Sequence, residues 1–189
     1  MDKNEIYVNE VIEAYLNSKE EMKTLDEVTV KSLFRTCIET INPELPHSSV
    51  IIRGIRKPDK TYSIKLKNIK MNFNFALDMI IGLGSVYEGS KIMLIWLILD
   101  VLRTFFSEVS VELEKDDAYL IYVIYKLDYT VTGIKKEQLE DYFATDTIAK
   151  QNGYFTEPGK LEESLDRMLK IHSITEQDGG YHISETILN

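Results

Sequence analysis

The chain has 189 residues, 44% of them hydrophobic and 28% charged, with a formal net charge of −9 at pH 7. This balance excludes a disordered or low-complexity chain, which would be too poor in apolar residues to bury a core. A single cysteine excludes a disulfide framework and a Cys-based zinc site, and fits a reducing, cytoplasmic compartment.

The start, Met1 to Ile6, is polar and acidic with no apolar run behind it, so no signal peptide is expected. Residues 4–22 read as an amphipathic helix with Val8, Val11, Ile12, Tyr15 and Leu16 on one face. A second helix opens at Thr24, with Glu27 three residues later as in a capping box. Its apolar stripe is Val30, Leu33, Phe34, Cys37, Ile38 and Ile41, which makes Cys37 a core residue, and Pro43 and Pro46 end it.

From Ser49 to Phe75 the period changes to two. Val50 to Arg53 leads into a turn at Lys57–Lys60, where Pro58 and Asp59 suit type I geometry. Tyr62, Ile64 and Leu66 alternate with polar residues; Ile69, Met71, Phe73 and Phe75 do so in the opposite phase, which predicts a bulge near Asn68. The expectation is a β-hairpin with a long second strand. Arg53, Arg56, Lys57, Lys60, Lys65, Lys67 and Lys70 meet only Asp59 there, a net +6. Such a patch is either an anion-binding surface, for nucleic acid, phosphate or an acidic protein face, or a solvated edge strand whose lysines discourage sheet-to-sheet pairing. Asn72 and Asn74 continue its exposed side without charge.

Gly82, Gly84 and Gly89 do not make a dinucleotide loop, since Tyr87 stands where the third glycine is needed. They read as a helix stop and a loop. The most apolar run, Ile92 to Leu99, spans about 12 Å as a helix and is far short of the roughly 20 residues that cross a bilayer. A helix over residues 90–106 is apolar nearly all round, so it is central or covered by another chain, with Asp100 and Arg103 spaced to pair. No Gly/Ser/Pro-rich linker follows, so the two halves are expected to pack as one body.

Val109, Val111 and Leu113 alternate as in a short strand, and Asp116 or Asp117 can cap the next helix. That helix, Ala118 to Leu127, carries two arcs. Leu120, Val123, Ile124 and Leu127 form one; Tyr119, Tyr122, Tyr125 and Tyr129 form the other. The tyrosine arc is a candidate protein interface, toward the N-terminal half or a second subunit. Its plainer reading is a half-exposed surface. Thr132 caps a helix over residues 133–144 that turns Ile134, Leu139 and Phe143 inward. Residues 145–157 then form a connection with a turn at Asn152-Gly153. A third helix spans residues 158–171, capped by Thr156, with Leu161, Leu165, Met168 and Leu169 inward. A hairpin over residues 174–183 turns at Asp178-Gly179-Gly180.

The run Leu161 to Ile171, followed by Ile174 to Ile183, resembles the third helix and wing of the winged helix-turn-helix superfamily, over residues 110–189 only. The resemblance implies DNA reading through the exposed face of that helix, which here offers Lys160, Ser164, Arg167 and Lys170. The charge argues otherwise. Residues 110–189 hold eight Lys/Arg against sixteen Asp/Glu, a net −8. Glu157, Glu162, Glu163 and Asp166 stand where phosphates would approach, and Glu176 and Asp178 at the wing tip. The connection over residues 145–157 also departs from a compact helix-turn-helix.

Of the three histidines, His172 and His182 are expected as cross-strand neighbours, too few for a metal site. No nucleophile-elbow, P-loop or zincin motif occurs, and Asp116-Asp117 reads as a helix cap. No catalytic, metal or cofactor site is expected. The fold class is α+β: a mainly helical part with a β-hairpin at 1–108, then a winged-helix-like domain at 109–189. The expected function is a non-catalytic protein-interaction or regulatory module on an acidic winged-helix scaffold, partnered by another protein or a second copy of itself, with no membrane contact. The alternative is a winged-helix DNA-binding transcriptional regulator that uses the basic hairpin for phosphate contacts.

Overall fold

The computed structural model describes residues 27–40, 69–84, 87–105, 111–127 and 132–188. The helix expected at 4–22, the turn at 57–60 and the first strand of the basic hairpin lie outside the described residues. The architecture is α+β. It divides into two compact units, Met1–Asn72 with Leu188–Asn189, and Phe73–Ile187.

In the first unit, helix α1 (Glu27–Cys37) buries Val30, Leu33, Phe34 and Cys37, the stripe expected of it. The helix stops four residues sooner than that stripe suggests. Ile38 begins a strand instead, consistent with the β preference of a branched side chain. Strand β1 (Ile38–Thr40) pairs antiparallel with β2 (Ile69–Asn72), placing Ile38 opposite Met71 and Thr40 opposite Ile69.

The second unit begins with a helix where a strand is expected. Phe73 and Phe75 do not extend β2; they lie in helix α2 (Phe73–Ile81). Phe73, Ala76, Leu77 and Ile80 satisfy the helical period and are all buried. The first-turn N–H groups of Phe73 and Asn74, which no helical carbonyl can serve, donate to the Glu185 carbonyl at 3.1 and 3.3 Å. Helix α3 (Glu88–Phe105) follows, apolar nearly all round as expected, with buried Asp100 paired to Arg103 at 2.8 Å. The sequence suggests a division after residue 108; in the structure α3 packs along α4 (Lys115–Leu127) inside one unit. Every residue from Ala118 to Ile124 is buried, because α3 covers one side of α4 while β4 and α7, described below, cover others. Among the described residues no helix is long and apolar enough to cross a membrane.

Val111 to Glu114 form no strand. The strand partner lies later: Ile134 bridges Tyr181, exchanging backbone hydrogen bonds of 3.0 and 2.9 Å. Two glycines permit this approach. A Cβ on Gly180 would stand 1.9 Å from the Thr132 carbonyl oxygen, and Gly133 turns at φ +66° with His182 packed against it.

Helix α5 (Lys136–Thr145) starts later than a Thr132 cap would place it; Lys135 precedes it, and its N–H donates to the Gln138 side chain at 2.9 Å. The expected connection over residues 145–157 contains a further short helix, α6 (Thr147–Asn152), capped by Asp146, whose carboxylate accepts the Ala149 N–H at 2.8 Å. Helix α7 (Lys160–Lys170) follows Gly159 rather than a Thr156 cap; the Thr156 hydroxyl donates to the Gly153 carbonyl at 3.2 Å.

The closing hairpin is as expected. Strands β3 (Ile174–Gln177) and β4 (Gly180–Ile183) pair in register through a two-residue turn, with Asp178 at φ 52° and Gly179 at φ 75°. Both values are those of a type I′ turn, which matches the twist of the strands. His182 stands opposite Thr175, not His172, which lies just beyond α7 at φ 58°. A last strand, β5, covers Thr186–Leu188.

Candidate functional site

The first turn of α4 is acidic, as the positive end of a helix dipole favours. Asp117 occupies its third position. Its carboxylate accepts the Glu114 N–H at 2.7 Å and its own N–H donates to the Glu114 carbonyl at 3.1 Å, a reciprocal cap. The side chain is fully buried, and burial pushes its carboxyl up against the pull of Arg167, Ser164 and the Glu114 N–H. From α7, the Ser164 hydroxyl donates to it at 2.5 Å and Arg167 Nη2 at 2.9 Å. Lys160, one turn before Ser164, donates to Glu114 at 2.7 Å and holds that carboxyl below its ordinary range. Asp116 turns another way and accepts the Phe155 N–H at 3.1 Å.

Thus Lys160, Ser164 and Arg167, expected on a DNA-reading face, are all bonded to the start of α4. The fourth, Lys170, pairs with Asp166 at 2.5 Å on its own helix. Lys136 of α5 reaches across to Glu162 and also lies 3.4 Å from Glu140. What α7 turns to solvent is Glu162, Glu163 and Asp166, with the ion-paired Lys170 at its end.

Three tyrosines of the arc, Tyr119, Tyr122 and Tyr125, bond within the unit, and the last two reach residues before 109, one of the two contacts expected of this face. Tyr119 is fully buried; its hydroxyl donates to Asp146, and its ring stacks on Tyr154 with centroids 4.8 Å apart. Tyr122 donates to Glu88 of α3 at 2.9 Å, and Tyr125 donates to Asp78 of α2. Burial, then the carboxylate partner, raises the phenol of both Tyr119 and Tyr122 above its ordinary value. Tyr129 lies outside the described residues. So do Arg53, Arg56, Lys57, Lys60, Lys65 and Lys67; Lys70 is half-buried on β2, opposite Glu39.

Among the described residues no three His, Cys, Asp or Glu side chains converge as metal ligands would. Burial pushes the Cys37 thiol up to about 11, which leaves almost no thiolate to act as a nucleophile near neutral pH.

A groove that sequence reasoning missed runs between α5, α6 and the start of α7, with a volume of about 540 Å³. Phe143, Phe155 and Leu161 line it with apolar surface; Glu140, Glu157 and Glu162 line it with charge. Phe155 sits at φ 52°, a conformation bulky residues rarely adopt, with its ring centroid 4.4 Å from that of Phe143. Asn152-Gly153 announced a turn in the sequence, but nothing local announced that Asp116, 39 residues earlier, would hold it. No protein-family model matches this chain, and no curated protein or solved structure does either.

Proposed function

We propose that residues 111–187 form a winged-helix scaffold that works by protein contact, with no catalysis, as a regulatory or assembly subunit in a reducing cytoplasm. In this reading α4, α5 and α7 are the three helices, Ile134 supplies the minimal first strand, and β3 and β4 are the wing. The short α6 is an insertion between the second and third helices. The order of these elements and the Ile134–Tyr181 bridge support the scaffold.

One observation carries the functional half. Each cation of α7 is bonded to a carboxylate of the same unit: Lys160 to Glu114, Arg167 to Asp117, and Lys170 to Asp166. DNA binders need cations left over for phosphates. With its cations bonded in this way, the exposed face of α7 carries three acids, Glu162, Glu163 and Asp166, against one base, Lys170, and its excess of negative charge disfavours a duplex. Titration of a labelled duplex with the full chain at low and moderate salt tests this. Weak or undetectable binding is expected; submicromolar binding that collapses with salt returns the protein to the DNA-regulator class.

A further inference from the structure

Resting on the protein-contact reading, we propose that the groove between α5, α6 and the start of α7 receives a peptide segment of a partner protein, one with a large apolar anchor flanked by Lys or Arg. The floor fits the anchor. Phe143, Phe155 and Leu161 line it, and half-buried Tyr154 borders it. The loop presenting Phe155 is set rather than incidental. Gly153 at φ 70° and Gly159 at φ 87° bracket it, and Asp116 fixes the Phe155 N–H from α4. A bulky residue held at positive φ is a conformation that persists only where its surroundings impose it, as at ligand clamps.

The rim fits the cations. Glu140, Glu157 and Glu162 border the groove against a single lysine, Lys150. Lys136 already lies against Glu140 and Glu162 from the α5 side. An arriving Lys or Arg competes with it there and meets Glu157 directly. At about 540 Å³ the groove falls within the size range of ligand sites, and it is partly open to solvent, which suits a chain segment more than an enclosed small molecule.

Fluorescence anisotropy of the full chain with short labelled peptides tests the assignment. The panel carries Leu, Phe or Trp at the centre, flanked by Lys and Arg, or by Glu as the control. At least one basic peptide is expected to bind. Changing Glu140, Glu157 and Glu162 together to Gln should weaken it about tenfold, and Phe155→Gly, which keeps the backbone conformation and removes the ring, by about as much. Glu176→Gln with Asp178→Asn, away from the groove, should leave it unchanged. Circular dichroism checks that each variant stays folded. Failure of every basic peptide overturns the groove assignment, as does equal binding of the Glu-flanked control or an equal loss from the Glu176/Asp178 variant. Those results leave the protein-contact reading standing; submicromolar duplex DNA binding overturns that reading itself.

Discussion

Arg167 grips the buried carboxylate of Asp117 through two nitrogens, Nε at 3.0 Å and Nη2 at 2.9 Å, across fifty residues of chain. This bond fastens α7 to the first turn of α4. It also commits the one arginine of α7 to a carboxylate of its own unit. One contact therefore bears on both the fold and the proposed function.

Arg167→Ala leaves Asp117 buried without its cation, and breaking a buried pair from one side is far more costly than the pair is worth. Stability should fall by about 3 kcal/mol in urea unfolding. Arg167→Lys should recover only part of this, since an ammonium cannot match the planar fork. Equal stability of Arg167→Ala and the parent would mean that Asp117 is not confined as described.

Gly180 and Gly179 should separate cleanly. Ala at 180 puts a Cβ 1.9 Å from the Thr132 carbonyl oxygen, so the bridge to Ile134 must open. The expected loss is about 2 to 3 kcal/mol, the upper range for forced overpacking. Ala at 179 meets nothing within 4 Å and suffers only from φ 75°, about 1 kcal/mol. Thermal unfolding of the two variants should rank them in that order.

Alkaline pH should weaken the fold through Tyr119 and Tyr122. Both phenols hold their protons in the folded chain above the ordinary value of 10.0. The unfolded chain releases those protons at the ordinary value, so their contribution is complete below about pH 10 and shrinks as pH rises beyond it. The urea midpoint should fall as pH rises above about 10, and the fall should be shallower in the Tyr119→Phe/Tyr122→Phe variant. Identical slopes would show that these phenols titrate normally.

Local signals in the sequence were read well where one period or one turn decided the matter. The stripe of α1, the all-apolar α3 and the Asp178-Gly179 turn are of this kind. The residues Ile69, Met71, Phe73 and Phe75 misled because they fit two periods at once. Alternation suited a strand, while Phe73, Ala76, Leu77 and Ile80 suited a helix, and only the burial of that face and the Glu185 carbonyl decide between them. Helix α6 is six residues long, too short to show a period. The two arcs of α4 were visible, but the carboxylates that receive its tyrosines were not: Glu88 lies 34 residues away and Asp78 lies 47. Likewise, the excess of acid in residues 110–189 was plain from composition. That each of the few cations of α7 has a carboxylate partner is a three-dimensional fact.

The central claim is that this surface does not read nucleic acid, and the salt dependence of duplex binding by the full chain measures it most directly. A helix and wing contacting six or more phosphates would give a slope of log K against log salt of about −5 or steeper. The account predicts no binding strong enough to yield a slope at about 50 mM salt, for the parent and for Lys160→Glu alike. Submicromolar binding with a steep slope that Lys160→Glu reduces would contradict it.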